Sequence, residues 1–145
     1  MSRPERSTAA GRAYLDLQRL ARTSGRSMQV LLPMFASERW LARLAVSDHR
    51  FRFVLKGGVL LAALGNRRPT QDADLLALGI SNDHATVIRY LNEIASIDLH
   101  DGGTFDPEMI RRRQLHGLFA TTTSTWFDSL WTARWPLRGS SSNWT

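Results

Sequence analysis

The sequence predicts an α/β (α+β) fold, with two N-terminal helices followed by a small mixed sheet flanked by helices. Three observations carry that expectation. Apolar residues recur at helical spacing from Arg12 to the mid-forties. Two short β-rich runs, Phe51–Leu55 and Ala73–Leu78, stand on either side of a further helical stretch. Glycine pairs and Ser/Asn/Asp breaks punctuate these segments, and 145 residues suffice for one domain with a substantial core.

Residues 1–11, rich in Ser, Arg and Gly, read as a flexible leader. From Arg12, the positions Tyr14, Leu15, Leu17, Leu20 and Ala21 mark a helix that ends near Ser24-Gly25. Ser27 is an N-cap for a second helix carrying Val30, Leu31, Met34, Phe35, Trp40, Leu41 and Leu44. Pro33 must lie in its early turns or kink it, and the helix should stop around Ser47–Arg50. Phe51–Leu55 is a strand running into Lys56-Gly57-Gly58, and Val59–Leu64 a helix closed by Gly65-Asn66. After the loop Arg67–Thr70, Ala73–Leu78 is an apolar strand with Asp72 and Asp74 at its start. Asp83–Ile94 has helical periodicity, capped by Ser81 or Asn82. Ser96–Leu99 is expected as another strand, then a Gly102-Gly103 turn, a short strand into Phe105, and a turn or short helix opened by Asp106-Pro107. Beyond Arg113 clean periodicity disappears: Thr121–Thr125 is a run of small β-formers, and Trp126, Trp131, Trp135 and Trp144 crowd the end. The expected organisation is therefore a domain over residues 12–110 and an Arg/Trp-rich tail over 111–145, either divergent or an incomplete C-terminal part.

Charge is distributed unevenly. The net +6 divides into 13 basic and 4 acidic residues over 1–70, 1 and 8 over 71–110, and 5 and 1 over 111–145. A basic body around an acidic segment suits an enzyme that gathers polyphosphate or nucleic acid and holds metal at one point, although an Arg-rich chain can also be simply well solvated. Lys56 is the single lysine among 19 basic residues. The absence of cysteine excludes disulfide scaffolds and thiolate zinc sites. Apolar runs such as Val59–Leu64 are too short to cross a bilayer, and Met1–Gly11 lacks the apolar core of a signal peptide, so a cytoplasmic location and no membrane partner are expected.

The chemistry-bearing stretch is Phe53–Leu78. Gly57-Gly58 at a strand-to-helix turn lets backbone amides approach a phosphate, though such a pair alone is often only a turn. Asp72 and Asp74, at i and i+2 on a strand, share one face. Two carboxylates leading into Leu75-Leu76 either hold a cation such as Mg²⁺ or lie solvated at an exposed strand. A phosphate turn, a helix, a basic loop and then D-x-D on a neighbouring strand is the layout of metal-assisted nucleotide transfer.

Residues Phe51–Leu76, FRFVLKGGVLLAALGNRRPTQDADLL, closely resemble the signature of the AbiEii-type nucleotidyltransferase toxins of bacterial toxin–antitoxin systems. That pattern runs roughly F-x-L-K-G-G-x-x-L, a spacer, then R-x-[ST]-x-D-x-D-L. Glu38–Leu44 and Asp101–Asp106 also look like the family, so the resemblance covers roughly residues 12–110. It implies a DNA-polymerase-β-like nucleotidyltransferase core that uses a nucleoside triphosphate with Mg²⁺ (or Mn²⁺). It also implies transfer to an RNA, with the tRNA 3′ end as the expected acceptor, a consequent block of translation, a cognate antitoxin as partner and no DNA substrate. By position, Gly57 and Gly58 would line the phosphate site and Asp72 and Asp74 would hold metal, with Lys56 a further catalytic candidate. Lys56, Arg68 and Thr70 would contact phosphate or support the loop.

The chain departs from the pattern downstream. Such folds usually add a third carboxylate on a later strand, and the toxins a downstream lysine. Here no lysine follows Lys56, and the one acid after Glu108 is Asp128, which reads as a surface acid rather than the third carboxylate. A second expectation is therefore a catalytically inactive nucleotide- or RNA-binding module, or an antitoxin-binding interaction protein. Asn143-Trp144-Thr145, read from the third base of the Asn codon, would encode Leu-Asp, which raises a frame-shifted or truncated C-terminal third. Arg111-Arg112-Arg113 is a candidate RNA-backbone contact or a solvated basic run. His49, His84, His100 and His116 lack metal-ligand spacing.

Overall fold

The computed structural model describes residues 4–56, 74–81, 83–106 and 124–126. In chain order these form helix α1 (Ala9–Ser24), helix α2 (Met28–Val46), a 3₁₀ turn (Arg50–Arg52), strand β1 (Phe53–Lys56), strand β2 (Asp74–Ala77), helix α3 (His84–Ala95) and strand β3 (Ser124–Trp126). The expected Val59–Leu64 helix, the Arg67–Thr70 loop and the segment from Pro107 lie outside the described residues.

α1 starts at Ala9, within the stretch expected as a leader, because Thr8 caps it: the Thr8 hydroxyl accepts from Gly11 N at 3.0 Å. Residues just before the cap lie so close to Gly11 that a Cβ there would meet Glu5 O at 1.8 Å. Gly25, at φ 68°, ends the helix in the left-handed conformation. α2 follows from Ser27 as expected and accommodates Pro33 in its second turn. Leu31, Ala36, Trp40, Arg43 and Leu44 form its buried face.

α3 is capped by Asp83, not by Ser81 or Asn82. A carboxylate at a helix N-terminus meets both the orphan N–H groups and the positive end of the helix dipole. Asp83 accepts from Thr86 N at 2.8 Å, and hydrogen bonds from Ser81 and Thr86 lower its pKa to about 2. Val87, Ile88, Leu91, Ile94 and Ala95 recur on one face and are buried. The strand expected at Ser96–Leu99 does not form. Ser96 N and Ile97 N bond back to Asn92 O and Ile94 O, completing the helix exit. Asp98 then accepts from His100 N at 2.7 Å, turning the chain through a positive φ of 52° at His100. Phe105 makes an isolated bridge rather than a strand.

The described strands pair antiparallel in the order β1-β2-β3. β3 comes from the stretch expected as tail. One core joins α2, α3 and the sheet through Trp40, Leu44, Phe53, Leu75, Leu91 and Ile94. Burying each of these large side chains is worth about 1.5–3 kcal/mol, which makes this cluster the principal anchor of β1 and β2.

Candidate active site at the end of the β1–β2 pair

The β1–β2 register pairs Phe53 with Ala77, Val54 with Leu76, Leu55 with Leu75 and Lys56 with Asp74. The last pair lies at one end of the described sheet. β1 leaves it directly into Gly57-Gly58, and β2 enters it directly from Asp72-Ala73. Opposed residues in an antiparallel pair have Cα atoms about 4.5–5.5 Å apart, so two motif arms separated by 17 residues in sequence meet at one place. On the other side of β2, Asp74 pairs with Trp126 of β3. Asp74 therefore occupies a central strand, flanked on both sides.

The core fixes that register. Leu75 is 1% exposed and Phe53 8%, whereas Val54, one step out of phase, is 45% exposed. The Lys56–Asp74 pair is in phase with Val54–Leu76, alternate to the core-facing pairs. A slip of one residue would exchange Leu75 with a neighbour of opposite facing, so burial of Leu75 holds Asp74 opposite Lys56.

The backbone thus locates Lys56 and Asp74 together. Gly57, Gly58, Arg68, Thr70 and Asp72 lie outside the described residues, as do Arg111, Arg112 and Arg113. Among the described residues no group of three or more His, Asp or Glu side chains could hold a metal.

A comparison with protein families matches residues 39–133 to the nucleotidyl transferase AbiEii toxin of Type IV TA systems. The chain belongs to the AbiEii toxin family. Membership gives it the family's character, a nucleotidyltransferase-type toxin of a toxin–antitoxin system, and implies an antitoxin as partner. The match takes in both motif arms and runs on past residue 110 through β3 and Asp128. Neither curated proteins nor solved structures gave a match. No helix among the described residues is long and apolar enough to cross a membrane.

Membership also directs attention to two segments that the sequence links to the AbiEii pattern but does not link to each other. Glu38–Leu44 and Asp101–Asp106 meet at Arg43, whose guanidinium is 1% exposed. Arg43 Nη1 and Nη2 donate to Asp101 Oδ2 and Oδ1, both at 3.0 Å, and further bonds reach Gly103 O at 2.8 Å and Arg39 O at 2.9 Å. The Phe105 ring packs 5.0 Å from the guanidinium carbon. Burial pushes the Asp101 carboxyl up, but the Arg43 hydrogen bonds, the Gly103 N–H and the charges of Arg43 and Arg39 outweigh it and hold the pKa below the ordinary carboxylate value. The available sequence signal is Arg43 itself, three residues after Trp40 on the apolar stripe of α2, where a cation requires an acid partner.

A separate open groove of about 420 Å³ lies between α1, Phe35 of α2 and the His100–Asp101 turn. It contains none of the residues nominated from the sequence for nucleotide or metal.

Proposed function

We propose that this AbiEii-family chain transfers a nucleoside monophosphate from a nucleoside triphosphate to the 3′ hydroxyl of an RNA, the tRNA 3′ end being the preferred acceptor, and so blocks translation. The observation that carries the proposal is the Lys56–Asp74 register, which joins the ends of the K-G-G and D-x-D arms. In the reaction the RNA 3′ hydroxyl gives up its proton to solvent, its oxygen bonds to the α-phosphorus, the bond between that phosphorus and the α–β bridging oxygen breaks, and pyrophosphate leaves. Backbone amides at Gly57 and Gly58 bind the triphosphate, and Lys56, Arg68 and Thr70 supply charge and hydrogen bonds to its oxygens. Arg111, Arg112 and Arg113 contact the RNA backbone.

Asp72 and Asp74 are hard oxygen donors at i and i+2, a donor set that fits Mg²⁺ or Mn²⁺. When bound, the metal supplies positive charge to the triphosphate and lowers the pKa of the attacking hydroxyl. Asp128, the one acid after Glu108, is the remaining candidate for a third carboxylate.

A second reading also has an observation in its favour. No lysine follows Lys56, and Asp128 is the one acid after Glu108, so the sequence is poor in the downstream groups that the transfer chemistry uses. On that reading the chain binds nucleotide, RNA or its antitoxin without turnover. Incubation with each triphosphate radiolabelled at the α-phosphate, Mg²⁺ and total tRNA, beside Asp72→Ala, separates the two. Label on RNA with the native chain alone supports the transferase; nucleotide binding without label supports the inactive module.

A further inference from the structure

At the far end of β1 from Lys56, the 3₁₀ turn Arg50–Arg52 presents an aromatic and arginine surface to solvent. Phe51 is 78% exposed, and the Arg50 guanidinium carbon lies 4.5 Å from its ring centroid. Tyr90 of α3 is approached by two more arginines, Arg89 at 4.8 Å and Arg52 at 5.8 Å. Arg50 and Arg52 direct one nitrogen each to a backbone carbonyl, Ser47 O and Gly79 O, both at 3.4 Å, and neither forms an ion pair among the described residues. The apolar surface continues through Val54, 45% exposed, and Leu78, 46% exposed, whose N–H bonds Arg52 O.

An exposed phenylalanine covered on one face by a guanidinium leaves the other face for a flat ligand. Bases stack on such rings whatever their identity, and flanking arginines add cation–π and phosphate contacts. Glu93, which pairs with His49 at 2.7 Å and Arg89 at 3.3 Å, and the exposed Asp48 keep the net charge of the patch low. That combination favours unpaired bases over a bare duplex backbone, whose capture depends on bulk charge. Spacing agrees. Lys56 lies five positions after Phe51, at most about 17 Å of extended chain, which matches about five nucleotide steps at ~3.4 Å each.

We propose that the surface formed by Arg50, Phe51, Arg52 and Tyr90 docks single-stranded RNA a few nucleotides upstream of the acceptor 3′ end. This rests on the reading of the acceptor as RNA and names where that RNA is held. Phe51 stacks one base, while Arg50 and Arg52 contact the adjoining phosphates.

The test is equilibrium binding of a fluorescein-labelled single-stranded RNA, and of a blunt duplex of the same sequence, to the full chain without triphosphate or metal. Phe51→Ala should weaken single-strand binding roughly tenfold and Phe51→Tyr should restore it. Arg50→Ala with Arg52→Ala should lower the salt-dependence slope by about 1.4, the value for two single-strand phosphate contacts. Circular dichroism melts establish that each variant is folded, as the exposure of Phe51 leads one to expect. RNA bound equally by native and Phe51→Ala proteins overturns the surface and leaves the RNA acceptor standing. No RNA bound by the native chain overturns both. Polyglutamate binding with the same Phe51 dependence and no preference for RNA assigns the surface to an acidic protein and overturns the proposal.

Discussion

Replacing Asp101 with alanine removes two of the four hydrogen bonds that Arg43 makes at 2.8–3.0 Å, and leaves a guanidinium that is 1% exposed with only carbonyl partners. Breaking a buried pair from one side costs about 3–5 kcal/mol, and the lower end applies because the Asp101 side chain retains 11% exposure, giving water some access to the cavity. For a domain of this size about 3 kcal/mol corresponds to a fall in Tm of about 10 °C. Arg43→Met preserves volume and removes the charge, so the double variant should cost about 2 kcal/mol less than the sum of the singles. Urea melts followed by far-UV circular dichroism would give all four corners of the cycle. A coupling below about 0.5 kcal/mol would refute the fork as a tie between α2 and the 101–105 segment. The same pair has a pH signature. The folded-state pKa of Asp101 is depressed, so its stabilisation is fully present above the unfolded value of about 4 and is lost as pH falls through the lower folded value. Native stability should decline below about pH 4, and the Asp101→Ala protein should lack that component.

Further outcomes follow from the sheet and the turns. Asp74→Ala should abolish label transfer to RNA with a Tm close to native, and turnover retained at the native rate would refute its assignment. Asp128→Asn should lower transfer by at least about 100-fold if it is the third carboxylate, checked by initial rates, with unchanged triphosphate affinity expected only if it acts through the acceptor side. Gly102 sits at φ 83° with a hypothetical Cβ 2.6 Å from Ala10 Cα, so Gly102→Ala should cost about 2 kcal/mol or more by urea melt. Leu91→Ala, at a position 1% exposed against Trp40 and Leu75, should cost about 2–5 kcal/mol, measured in the same way.

Much of the architecture is legible before any coordinates. The α2 and α3 stripes, the Phe53 and Leu75 strands and the Gly25 helix stop follow from periodicity and from the conformational freedom of glycine. The rest depended either on local competition for hydrogen bonds or on partners distant in sequence. Ser96–Leu99 has strand-like residues, but the α3 carbonyls reach its first amides before any sheet can. Asp83 outcompetes its neighbours as cap because a carboxylate adds charge to the hydrogen bond. β3 is three residues long, and its pairing with β2 carries no local pattern. At the site, the D-x-D and K-G-G motifs were readable from spacing, whereas their meeting at Lys56–Asp74 is a property of register. The Arg43 fork was signalled by an arginine on an apolar stripe, but its acid lies 58 residues away.

The central position of β2 has a consequence for synthesis. β1 and β2 leave the ribosome first, and β3 follows roughly 50 residues later, about 3–10 s at ~5–20 residues per second. Through that interval one edge of the strand bearing Asp74 offers bare N–H and C=O groups beside an already paired neighbour. A nascent chain therefore exposes a strand edge that the finished protein covers with β3, and another polypeptide could take that place only before β3 arrives.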